Sequence, residues 1–153
     1  MNRKLKTSLA VLGLLLTVGA TAAQEGGYRQ PDSFYEPPAE VPATPGALLK
    51  SEPFTGIEIP KGAQAWRIQY TTTFADGSPA VSVATVLAPV NMPEGARPVI
   101  TYEHGTAGAQ LRCMQSLWPA PFSRIPAAEQ AIAEGWVVVA TDYAFDGLDG
   151  PHP

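Results

Sequence analysis

Trp136 to Ala140 is an unbroken apolar run containing three consecutive valines. A strand of this composition is usually buried on both faces, as in parallel sheets covered by their crossover helices. The residues ahead of it supply such a crossover. Pro98 to Tyr102 reads as a short apolar strand. A helix is expected from about Pro126, since proline suits the first helical position. Ile125, Ala128 and Ile132 mark its apolar face, and Gly135 is placed to end it. Strand, loop, helix and strand over Pro98–Thr141 make a βαβ unit. Upstream, Trp66, Ile68 and Tyr70 alternate with Ala65, Arg67 and Gln69, the period-2 signature of a half-buried strand. Asp76-Gly77 is a hairpin turn signal, and Val81, Val83, Thr85 and Leu87 alternate again. An antiparallel hairpin followed by a βαβ unit predicts an α/β fold with a mixed sheet. No internal repeat is visible.

The first 60 residues read differently. Arg3, Lys4 and Lys6 precede the apolar stretch Ser8–Ala20, and Ala20-Thr21-Ala22 offers the small residues of a cleavage site. That is the layout of a secretory signal peptide over residues 1–22. Its apolar part is shorter than the roughly 20 residues of a membrane span. The expected product is therefore exported, to the periplasm or the medium. It keeps seven basic residues against 14 acidic ones. From residue 23 to about Pro60 seven prolines between Pro31 and Pro60 favour irregular, extended chain. Tyr28, Phe34, Tyr35, Leu48, Leu49 and Phe54 are too apolar for a free linker. An arm that wraps a domain is expected, with one helical turn around Asp32–Tyr35.

Composition narrows the chemistry. The net charge of −4 leaves no basic patch to neutralise phosphates, which argues against a nucleic-acid partner. His104, His152, Asp142 and Asp146 lack the short fixed spacings of metal sites, and neither a phosphate-binding loop nor a dinucleotide fingerprint occurs. No cofactor or metal is expected. Cys113 is the single cysteine. In an exported chain it reads as half of a disulfide whose partner lies elsewhere, rather than as a nucleophile.

Glu103-His104-Gly105-Thr106-Ala107-Gly108 follows the strand ending at Tyr102. A loop with two glycines in that position either presents backbone N–H groups to a ligand or closes a tight turn in which His104 satisfies local backbone. Taken with neighbouring segments, it carries a resemblance. Asp32-Ser33-Phe34-Tyr35-Glu36-Pro37-Pro38 and Pro45-Gly46-Ala47-Leu48-Leu49-Lys50-Ser51-Glu52-Pro53 come first. Tyr102–Gly108, Cys113-Met114-Gln115-Ser116, Gly135–Tyr143 and the closing Gly150-Pro151-His152-Pro153 follow in order. This set resembles the opening of the secretory lipase family of α/β-hydrolases.

The resemblance implies carboxylic-ester hydrolysis, often of lipids, through a Ser-His-Asp triad, and is compatible with contact at a lipid surface. It implies that His104, Gly105 and Thr106 help form the oxyanion hole, since one donor in such folds comes from the loop after the third strand. It also places residues 61–153 as the front of the hydrolase domain, ahead of the nucleophile elbow. No Gly-x-Ser-x-Gly pentapeptide occurs in the chain. His104, His152 and Asp142 do not match the triad's positions, so the triad is expected beyond Pro153 and the chain alone should be inactive. The competing expectation is a small exported acyl- or lipid-binding protein on a partial hydrolase scaffold.

Overall fold

The computed structural model describes residues 27–92, 94–108 and 110–143. Residues 1–22, read above as a leader, Asp146 and the closing Gly150–Pro153 segment lie outside the described residues. Five strands form one sheet: β1 (Leu48–Pro53), β2 (Ala63–Thr73), β3 (Pro79–Pro89), β4 (Val99–Tyr102) and β5 (Val137–Thr141). Their spatial order is β1-β2-β3-β5-β4. The pairs β1–β2, β2–β3 and β3–β5 are antiparallel, while β4 and β5 run parallel. The expected mixed sheet, a hairpin followed by a βαβ unit, is the observed one.

Local chemistry explains each joint. The β2–β3 hairpin turns at Gly77, whose φ of 82° suits glycine. Asp76 accepts from both the amide and the hydroxyl of Ser78 and so closes the turn. The crossover helix α1 spans Ala128–Ala133 and buries Ala128, Ala131 and Ile132 against the sheet, with Ile125 just ahead of it. It starts two residues after Pro126, because Ala127 adopts a left-handed φ of 57° and turns the chain into the helix. It ends at Gly135 in a Schellman arrangement: Trp136 N donates to Ala131 O and Gly135 N to Ile132 O.

The proline-rich arm is less irregular than its composition predicts. The Asp32-capped turn forms at Ser33–Tyr35, with Asp32 Oδ1 accepting from Phe34 N at 3.0 Å. Leu48–Pro53 adds an edge strand, because the amides of this stretch are free of proline until its last residue. Phe34, Tyr35 and Phe54 are buried as expected, whereas Leu48 is 63% exposed.

Burial also divides the sheet unexpectedly. Along β2 the covered residues are Ala63, Ala65, Arg67, Gln69 and Thr71, and Trp66, Ile68 and Tyr70 are only half-buried. Pairing carries this face across Leu87, Thr85 and Val83 of β3 to Val138 and Ala140 of β5. Helix α1, Phe122, the arm's Phe34 and Tyr35, and Met114 with Leu117 all pack there. On the opposite face Val137 and Val139 remain half-exposed. The valine run is thus covered on one face by the helix, the arm and the Met114–Leu117 segment, while Val137 and Val139 on the other stay half-exposed.

Arg67 reaches the covered face by being neutralised and surrounded. Its guanidinium donates to Asp32 Oδ2 and Glu52 Oε1, each at 2.7 Å. The Phe34 ring centroid lies 4.4 Å from its Cζ. Desolvation opposes its charge, but the hydrogen bonds to Asp32 and Glu52 win and push its pKa up. The same contact with Arg67 holds Asp32 below the usual carboxylate range.

Candidate functional site

Parallel pairing of β4 with β5 sets their carboxyl ends side by side, the usual place for a site in an α/β sheet. The loop from His104 to Gly108 leaves one of these ends, and Thr141, Asp142 and Tyr143 form the other. Gly105 and Thr106 are exposed, and their amides donate to no described residue. His104 is buried, its Nδ1 lying 2.8 Å from Gly105 O. A carbonyl only accepts, so Nδ1 carries the proton in that contact.

The end of β5 holds the loop in place. Tyr143 donates its hydroxyl to His104 O at 2.8 Å, and the two rings sit 4.8 Å apart between centroids. Tyr143 itself has a φ of 64°, a conformation rarely adopted by a bulky residue and often found where structure imposes it for function. Its amide is tied to Thr141 Oγ1, which also bonds the Tyr70 hydroxyl at 2.7 Å. Asp142 is fully buried: its amide donates to Val83 O and its Oδ1 accepts from Ser116 N at 2.9 Å. Ser116 Oγ in turn bonds the Tyr35 hydroxyl at 2.8 Å. Burial pushes the Tyr35 phenol up from its ordinary value, against the opposing hydrogen bond from Ser116. Arm, loop and strand ends are thereby laced together at one point.

Of the residues singled out in the sequence, His104, Gly105 and Thr106 share this loop. Cys113 sits behind it as a half-exposed free thiol. A Cβ on Gly108 would lie 2.9 Å from Cys113 Sγ, so the glycine lets the loop close against the sulfur. His152 and Asp146 fall outside the described residues. Among the described residues no group of three or more candidate metal ligands gathers, and no helix is long and apolar enough to cross a membrane. Sequence reasoning gave no role to Tyr143, Ser116 and Gln115, which lie in segments without periodicity. Their advance signal was membership of the segments Cys113–Ser116 and Gly135–Tyr143 that carry the resemblance.

A second feature opens on the half-exposed face of the sheet. Leu48, Ile68, Tyr70 and Val139 line a cleft of about 340 Å³, with Glu103 and Thr141 among its polar residues.

No family model matches the chain. A Mycobacterium tuberculosis protein named "Probable inactive lipase" is 31% identical over 127 residues, covering 73% of this chain and 28% of that protein. The closed state of Candida antarctica lipase A superposes with a TM-score of 0.59 at 22% identity, over 75% of this chain and 30% of that one. In fold this is a partial α/β-hydrolase chain, and in sequence it is similar to a lipase-like protein. A variant of the rice cell wall degrading esterase LipA from Xanthomonas oryzae matches at a TM-score of 0.50 and 24% identity, over 68% of this chain and 30% of that one. The chain spans under a third of the length of each of these relatives.

Proposed function

We propose that this chain is the front of an exported carboxylic-ester hydrolase of the serine type, in which the His104–Thr106 loop supplies oxyanion donors. The observation that carries the reading is that loop: it leaves a parallel strand at its carboxyl end with Gly105 and Thr106 amides uncommitted, and Tyr143 braces it. Ester cleavage puts negative charge on the former carbonyl oxygen, and one preorganised donor aimed at that charge is worth about 2.7–4 kcal/mol. Bracing matters because the gain requires donors already in position. The nucleophile, base and acid are supplied by polypeptide other than these 153 residues, since no elbow pentapeptide is present. Ester or lipid is the substrate class, and the leader at residues 1–22 directs the product out of the cytoplasm.

The apolar cleft beside Ile68 and Tyr70 supports a second reading, in which the chain holds an acyl group without cleaving it. The relative named an inactive lipase is in keeping with that reading.

Native material separates the two. Antibodies against this chain should capture a secreted product two- to threefold heavier than 16.1 kDa. It should be labelled by a serine-reactive fluorophosphonate and hydrolyse p-nitrophenyl esters. A captured product slightly lighter than 16.1 kDa that neither labels nor hydrolyses would overturn the hydrolase reading in favour of the binding one.

A further inference from the structure

The sheet ends in two edge strands, and they are built differently. An edge presents unpaired amides and carbonyls, and natural sheets blunt it with charge, proline or a bulge. β1 has all three: Lys50 and Glu52 lie within it, Pro53 ends it, and its register slips between Leu48 and Lys50. Lys50 is also tied to the arm, its Nζ donating to the carbonyls of Phe34 and Glu36. β4 has none of these. Val99-Ile100-Thr101-Tyr102 carries no charge, no proline and no bulge, and Val99 is 58% exposed.

Alternation fixes what the β4 edge offers. Val137 N donates to Pro98 O at 3.1 Å, and Val99 is registered with Val137. Backbone polar groups of successive residues point to opposite sides of a strand, so those of Pro98, Ile100 and Tyr102 face β5. Those of Val99 and Thr101 face outward, and no described residue bonds them. Pro98 costs the outer edge no donor, since its missing N–H lies on the β5 side. Thr101 and Glu103 both line the cleft shared with Val139, on the half-exposed face.

The flanking charges say which strand fits. Arg97 precedes β4 and Glu103 follows it. Antiparallel pairing of two such strands about Ile100 sets Val99 opposite Thr101 and Arg97 opposite Glu103. In that register every outward amide and carbonyl of β4 gains a partner. Two β-branched residues meet, and unlike charges lie across from each other. A twofold interface needs this self-complementarity, residue i meeting j while j meets i. An antiparallel copy brings that order by construction.

We infer that a second copy of this chain docks on β4, the two strands pairing antiparallel about Ile100 and joining both sheets into one. The inference does not rest on the hydrolase reading, because it uses neither the loop donors nor a nucleophile.

Sedimentation velocity of the purified chain should show a monomer giving way to a dimer as concentration rises. Amide exchange at Val99 and Thr101 should slow in step with the dimer, while Ile100 and Tyr102, which already face β5, should not change. Glu103→Arg sets two arginines opposite each other at both ends of the pair and should weaken the dimer about tenfold. Combining Arg97→Glu with Glu103→Arg restores unlike charges and should recover the parent's affinity. If either variant does not fold, the concentration dependence of exchange in the unaltered chain decides alone. A monomer at every concentration, a dimer indifferent to Glu103→Arg, or a double variant no tighter than the single one would each overturn the proposal. So would protection of Val99 and Thr101 that persists at the highest dilution, since other polypeptide would then hold the edge. None of these outcomes bears on fluorophosphonate labelling of the native product, so the two readings fail separately.

Discussion

The two faces of the sheet share strands, register and twist, yet are built from opposite chemistry. The covered face carries Arg67 and Gln69 beside Leu87 and Val138, and it is closed by the arm, the helix and Met114 with Leu117. The other face carries Trp66, Ile68, Tyr70 and Val139, which stay half-exposed around the small buried residues Ser82 and Ala84. Burial here follows what packs on a strand rather than how apolar the strand is. Polar residues are held inside by their partners: Arg67 by two carboxylates and three rings, and the Gln69 amide nitrogen by the carbonyls of Phe34 and Glu36. Over Trp66, Ile68, Tyr70 and Val139 the other face has no complete cover among the described residues. The cleft beside Tyr70 lies on it.

The largest test of this contrast sets Leu87→Ala against Ile68→Ala. Leu87 is fully buried, and its truncation should cost about 3 kcal/mol by urea denaturation, the transfer and cavity terms together. Ile68, one strand away on the other face, should cost less than about 1 kcal/mol. Equal losses would mean that the second face is covered in solution.

Arg67→Met comes next. Methionine retains the apolar stem but abandons two carboxylates that are themselves about half-exposed. The expected loss is about 2 kcal/mol, below the 3–5 kcal/mol of a fully buried pair broken on one side. A neutral result would show that the aromatic cage around residue 67, not the ion pairs, holds the arm down.

At the joint between the faces, Tyr143→Phe removes only the hydroxyl that holds His104 O. Stability should fall by about 1 kcal/mol, and amide exchange should quicken at Gly105 and Thr106 more than elsewhere. Uniform quickening would assign Tyr143 to global stability instead of to the loop.

The smallest effect concerns pH. Asp32 has its carboxyl lowered mainly by Arg67, so it favours the folded state above the ordinary carboxylate value. That contribution disappears as pH falls through the lowered folded-state value. Because the side chain is about half-exposed, the amount is under about 1 kcal/mol. Asp32→Asn keeps a good helical cap and removes the charge, so its stability should change less than the parent's between about pH 5 and pH 3. Parallel melting curves across that range would deny the ion pair any role.

Much of the framework was legible in advance because its signals are local. The alternation around Ile68 and Val83, the glycine turn at Gly77 and the apolar run ending at Ala140 each specify a strand or a turn by themselves. So does the cap at Asp32, where one carboxylate and one amide two residues on suffice. The short strand in the arm escaped notice because prolines at either side mask a five-residue stretch without any, from Leu48 to Glu52. The candidate site was half legible. The glycines and histidine of the loop stand out after a strand, but its supports, Tyr143 and Ser116, carry no pattern in their own neighbourhoods.

By itself, the sequence determined where the four strands after the arm lie, how the hairpin turns and where the helix stops, since these depend on backbone preferences within a few residues. Tertiary structure alone decided which side of each strand is buried. A period-2 alternation defines two faces without naming the one that a distant arm will cover. It alone also brought Tyr143 to His104, 39 residues away, and Ser116 to Asp142, 26 away. The first contact exists because parallel pairing of β4 with β5 aligns two strand ends that no local interaction connects.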